Sequence, residues 1–92
     1  MRFAPWYRRD DYALMREIMD DGEMLPLTFD EWEKSAESAR AAAMREGVSI
    51  IPVFLHPDEF FTFCKEKKIS PSSQTAAEFA NSRGAASYSM GV

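Results

Sequence analysis

From Phe29 onward the apolar residues fall at 29, 32, 36, 39 and 43, a 3-4-3-4 spacing that lays one stripe down a helix. The start of that helix is marked. Thr28, followed three residues later by Glu31, makes a capping box, and Asp30 and Glu31 complement the positive end of the helix dipole. Leu27, just before the cap, is placed to staple onto Trp32. The second half of the stripe is alanine, at Ala36, Ala39 and Ala43, small enough for another backbone to come close. Gly47 ends the helix. A shorter amphipathic stretch precedes it: Tyr12, Met15 and Met19 share one face, with Leu14 and Ile18 beside them. Asp10 or Asp11 caps this first helix, Gly22 stops it in a left-handed conformation, and "EMLPL" connects it to the next.

The pattern changes at "VSIIPVFL", residues 48–55, a short β-branched run bounded by Gly47 and Pro57 that predicts a strand. Pro52 removes a ladder donor from its middle, which predicts an edge position or pairing on one side only. Strand backbone needs a mate. The candidates are residues 2–7, the tail segment "AASYSM", or the same strand from a second copy of the chain, and no other strand signal is as strong. Residues 1–9, interrupted by Pro5, read as extended or irregular, with Phe3, Trp6 and Tyr7 packed on the domain.

Two further helices follow. "HPDEFFTFCKEKK" starts at His56 or Leu55, places Pro57 at the first helical position, and carries acids in its first turn and lysines in its last. Phe60, Phe63 and Cys64 line one side. "ISPSSQTAAEFANSRG" is capped by Ser70, begun by Pro71 and stopped by Gly84, with Ala76, Phe79 and Ala80 as its buried stripe. The predicted fold class is therefore mainly α (α+β). Four helices and one short strand form a single small domain over residues 1–84, and 85–92 form a mobile tail.

Composition narrows the function classes. A chain of 92 residues with net charge −4 lacks the basic excess expected of a dedicated nucleic-acid binder. Its basic clusters, Arg2, Arg8 and Arg9 and then Lys65, Lys67 and Lys68, are each diluted by neighbouring acids. One cysteine permits no intrachain disulfide, and "MRFAPWYRRDDY" has no apolar run of the signal-peptide kind, so a cytoplasmic location without membrane attachment is expected. Twelve aromatic residues are more than four short helices and a strand readily cover, which points to an apolar patch and hence to a partner.

Candidate chemistry is sparse. His56 and Cys64 are the only histidine and cysteine, eight residues apart along one helix, or roughly 12 Å at about 1.5 Å per residue. They cannot meet within one chain. Cys64 shares a face with Phe60 and reads as a small hydrophobe; His56 reads as a cap. "DDGE", residues 20–23, lacks the alternating ligands of a calcium loop, and one His with one Cys makes no zinc site. The acid pairs at 10–11, 20–21, 30–31 and 58–59 are helix-terminal. Ser49, Ser70, Ser72 and Ser73 lack a base, and the four glycines form no phosphate loop. No catalytic, cofactor-binding or metal-binding residue is assigned, and no cofactor or small-molecule substrate is expected.

The runs "YRRDDYALMREIMDDGEMLPLTFDEWEKSAE" and "REGVSIIPVFLHPDEFFTFCKEKKISPSS" resemble small bacterial proteins of no established chemistry. Those proteins carry a D-G-x-x-L-P-x-T-[FY]-x-E-W segment, a short strand, a P-x-E-F-x-x-[FW]-C helix and a final helix begun by proline. The resemblance covers most of the chain and departs at Pro52 and at residues 84–92. It implies capping, turn and core roles for the matched residues and no activity.

The expected function is a non-enzymatic interaction or regulatory protein acting through protein–protein contacts. The expected form is a homodimer through strand 48–55, with Ile50, Ile51, Val53, Ala36, Ala39 and Ala43 at the interface. Two alternatives are an enzyme subunit whose Cys64 and His56 meet across a dimer, and a nucleic-acid or nucleoprotein binder using Arg2, Arg8, Arg9 and Lys65–Lys68.

Overall fold

The computed structural model describes residues 1–90 as β1 (Arg2–Trp6), α1 (Arg9–Ile18), a 3-10 turn (Gly22–Met24), α2 (Phe29–Arg45), β2 (Ile50–Phe54), α3 (Pro57–Lys67) and α4 (Ser73–Met90). The mainly helical architecture stands, but the sheet has two strands rather than one. β1 and β2 pair in parallel, with Arg2 opposite Ile50 and Trp6 opposite Phe54. The Arg2 amide donates to the Ser49 carbonyl at 2.8 Å, and the Leu55 amide donates to the Trp6 carbonyl at 2.9 Å. A parallel pair needs a long crossover, which α1 and α2 supply. The homodimer expectation began from a strand without a mate. That premise is corrected: β2 finds its mate in the same chain, in one of the three segments that the sequence offered.

Helices cover both faces of this ribbon. Alternation along β1 sends Phe3 and Trp6 to opposite sides. Phe3 lies against Gly84 of α4, and Trp6 meets Trp32 of α2 with ring centroids 5.2 Å apart. A Cβ at Gly84 would overlap the Phe3 ring, so this glycine lets helix and strand approach instead of ending the helix. α4 therefore continues to Met90. Residues 85–90, expected as a loose tail, are helical, and 91–92 lie outside the described residues. Gly22 acts in a similar way: a Cβ there would strike the Arg16 carbonyl, and it is Gly47, at φ 83°, that takes the left-handed conformation.

The larger aromatic cluster sits between β1, α1 and α2. Tyr7 packs edge-on to Trp32 at 5.0 Å and to Tyr12 at 5.7 Å, and Tyr12 packs edge-on to Phe29 at 5.8 Å. Such contacts add about 0.5–1.5 kcal/mol each beyond area burial. The two phenols are satisfied as they are buried: Tyr7 donates to the Met19 sulfur at 3.5 Å and Tyr12 to the Pro26 carbonyl. Burial pushes the Tyr7 hydroxyl far above its usual pKa. With these rings around it, Trp32 needs no staple, and Leu27 stays 72% exposed. Fully buried Met15, Leu55 and Phe60 continue the core toward Phe79 of α4, with Phe60 and Phe79 at 5.8 Å.

The helix starts are held as the sequence suggests at α2 and α3, and differently at α1, where Arg8 precedes the helix and Asp10 and Asp11 lie inside its first turn without capping it, and at α4. The Thr28 hydroxyl accepts the Glu31 amide at 3.2 Å, and Pro57 occupies the first position of α3 after His56. At α4 the cap is Ser72, whose hydroxyl accepts the Thr75 amide at 3.2 Å; Ser70 and Pro71 lie ahead of the helix. Asp21 reaches across the fold to accept the Ser73 amide at 3.0 Å, and the Asp20 amide donates to the Pro71 carbonyl at 2.9 Å. The end of α1 is thereby stitched to the start of α4. Hydrogen bonding from Ser73 holds the Asp21 carboxyl below its ordinary pKa.

Two outcomes follow. Gly84→Ala gains about 1 kcal/mol of helix propensity but overpacks Phe3 at a cost of about 1–3 kcal/mol, and should destabilise the chain by up to about 2 kcal/mol net in urea titration. Because the Asp21 carboxyl is depressed on folding, its stabilisation is complete above the unfolded value of about 3.9 and is lost as pH falls through the lower folded value. Asp21→Asn should therefore lower the urea midpoint at pH 7 and converge on wild type near pH 2.

Candidate functional site

α3 ends in a way that builds a groove. Lys68 adopts the left-handed conformation at φ 57°, its amide donates to the Lys65 carbonyl at 3.2 Å, and the Ile69 amide donates to the Cys64 carbonyl at 3.0 Å. This is the Schellman arrangement, which brings the second residue past the helix against its fourth-last residue, here Ile69 against Cys64. The reversal sets Ile69 and Pro71 beside the last turns of α3, across from Ile18 at the end of α1. Between them lies an open apolar groove of about 500 Å³ lined by Ile18, Phe61, Thr62, Cys64, Lys65, Ile69 and Pro71. That volume is in the range of ordinary binding clefts. Ile18 and Ile69 are each 38% exposed, so its rim presents apolar surface to solvent.

The opposite flank of α3 is polar. Asp58, Glu59, Thr62, Phe63, Glu66 and Arg83 line a smaller cleft of about 280 Å³. Arg83 pairs with Glu59 at 3.0 Å and covers the Phe79 ring. Four other arginines are similarly engaged. Arg8 pairs with Asp11 at 2.6 Å and Arg9 with Asp30 at 2.7 Å; Arg16 donates to the Leu25 carbonyl and Arg40 to the Ile50 carbonyl. Lys65 and Lys68 differ: among the described residues, neither side chain has a hydrogen-bond or ion-pair partner. The apolar groove thus has one unpaired lysine, Lys65, in its wall and another, Lys68, at the turn beside it.

The residues singled out from the sequence are placed otherwise. Ile50, Ile51 and Val53 are half-buried in the sheet, and strand alternation sends Ile50 to one face and Ile51 and Val53 to the other. Ala36 and Ala43 are half-buried and Ala39 is exposed. His56 precedes α3 and is exposed, whereas Cys64 is buried two turns on, where desolvation pushes its thiol pKa up. Among the described residues, no cluster of three or more His, Cys, Asp or Glu side chains is arranged to hold a metal ion, and no helix is long and apolar enough to cross a membrane. None of Ile18, Phe61, Ile69 and Pro71 reads as a site residue in the sequence: Ile18 is placed beside the buried face of the first helix and Pro71 at the start of the fourth. The signal available for Ile69 was a helix-stop reading of "CKEKKI", with an apolar residue five positions after Cys64.

Searches of protein-family models, of curated proteins and of solved structures find no match to the chain.

The burial of Cys64 has a direct readout. In the folded protein its reaction with an aromatic disulfide reagent at pH 8 should be on the order of a hundredfold slower than that of free cysteine, and should become complete in denaturant. A thiol reacting as fast as, or faster than, free cysteine would restore the reading of Cys64 as a nucleophile.

Proposed function

We propose that this chain is a non-enzymatic interaction protein whose docking face is the groove on α3, and that its occupant is an amphipathic helix of a partner protein with acidic residues flanking its apolar stripe. The observation that carries this reading is an open apolar groove with Lys65 in its wall and Lys68 at the adjoining turn, neither side chain paired among the described residues. Helix-in-groove recognition uses apolar anchors spaced along one helix face. One buried leucine anchor contributes about 1.5–3 kcal/mol, while facing charges speed encounter and set orientation. With β2 laddered to β1, the groove is better supported as the contact surface than strand pairing between copies. The nucleic-acid alternative loses two of its cations, since Arg8 and Arg9 are matched by Asp11 and Asp30, and keeps Arg2 and Lys65–Lys68. An enzyme completed across a dimer loses support because Cys64 is buried and its thiol is harder to ionise. A single, unbridged cysteine fits a reducing compartment such as the cytoplasm.

The test uses nitrogen-15-labelled protein and two designed amphipathic helical peptides with the same leucine stripe, one flanked by glutamates and one by lysines. The glutamate peptide should shift the amides of Ile18, Phe61, Lys65 and Ile69, and should bind roughly tenfold more weakly to a Lys65→Glu/Lys68→Glu variant. Ile69→Asp should remove binding. Equal binding of the lysine peptide, shifts confined to other surfaces, or no binding would overturn the proposal.

A further inference from the structure

The two prolines of the sheet share a geometry. In the parallel ladder, Arg2, Ala4 and Trp6 of β1 turn both backbone groups toward β2, and Ser49, Ile51, Val53 and Leu55 turn theirs toward β1. Pro5 and Pro52 belong to the other set in each strand, so their nitrogens face outward. Neither proline removes a bond from the ladder; each removes a donor from an outer edge. On the β2 edge the remaining outward amides are those of Ile50 and Phe54, about 13 Å apart at about 3.3 Å per residue. The outward carbonyl of Ile50 is already occupied, accepting Arg40 Nε of α2 at 3.1 Å.

We infer that Pro52 and Arg40 together close the free edge of β2 to any further strand, from a second copy or from a partner, and that Pro5 removes a donor in the same manner from the outer edge of β1. An incoming strand needs donors and acceptors on alternate residues, and β2 presents a gap at the centre and a capped carbonyl at one end. The sheet therefore stays two-stranded, and contacts with other chains form on helical surfaces. The observations behind this are independent of the groove.

The full chain tests it in two ways. In wild type the Ile50 and Phe54 amides should exchange with solvent far faster than those of Ile51 and Val53, at a rate that does not change with protein concentration. In Pro52→Val/Arg40→Met the missing donor returns and the Ile50 carbonyl is freed. That variant should associate at a concentration at least roughly tenfold below any at which wild type does, by analytical ultracentrifugation, with protection gained at Phe54. Concentration-dependent protection of Ile50 and Phe54 in wild type would overturn the inference, as would a folded double variant that sediments like wild type. If the double variant does not fold, the wild-type exchange pattern decides alone.

Discussion

The parallel ladder between Arg2–Trp6 and Ile50–Phe54 is the contact on which the rest of this fold depends. It joins the start of the chain to its middle and sets where α1 and α2 must cross. It presents Phe3 to α4 on one face and Trp6 to Trp32 on the other. A two-stranded ribbon has little stability of its own in water. Here it holds because helices cover both faces and because Leu55, at the end of β2, is fully buried and leads directly into α3. Gly84 sets how closely α4 can lie on β1, so a single hydrogen atom in place of a side chain fixes the spacing of helix and sheet.

The groove follows from this frame. α3 leaves the sheet at Pro57, buries Phe60 and Cys64 against the core, and must reverse before α4 can return over β1. The reversal is made at Lys68 without a glycine, and it exposes Ile69 beside Ile18. The ties of Asp21 to Ser73 and of Asp20 to Pro71 hold the far wall in place. The groove is thus a by-product of how two helices are joined, with Lys65 on its wall and Lys68 at its turn, neither held in an ion pair among the described residues. The edge of β2 shows the opposite tendency: Arg40 and Pro52 occupy or remove the groups that another strand would seek.

Local signals in the sequence were legible where one side chain and one nearby amide decide the outcome. Thr28 with Glu31 is of this kind, Pro57 after His56 follows from the fixed backbone of proline, and the buried stripe Ala76, Phe79 and Ala80 follows from helical period alone. β1 was not legible as a strand, because "RFAPW" is short, carries a proline, and is stabilised by a mate far along the chain. Gly84 was ambiguous, since glycine both ends helices and permits close packing, and only the position of Phe3 separates the two. Leu27 has the right spacing for a staple, but Trp6, Tyr7 and Tyr12 reach Trp32 first. The groove draws on Ile18, Phe61 and Ile69, three segments that no periodicity connects.

The central claim is that β2 is completed within its own molecule. An isotope-filtered NOE experiment on an equimolar mixture of labelled and unlabelled chains tests it most directly. Every contact of the Arg2–Ile50 to Trp6–Phe54 register should be intramolecular, with the filtered spectrum empty for β2. Intermolecular contacts linking β2 of one chain to β1 or β2 of another would contradict it.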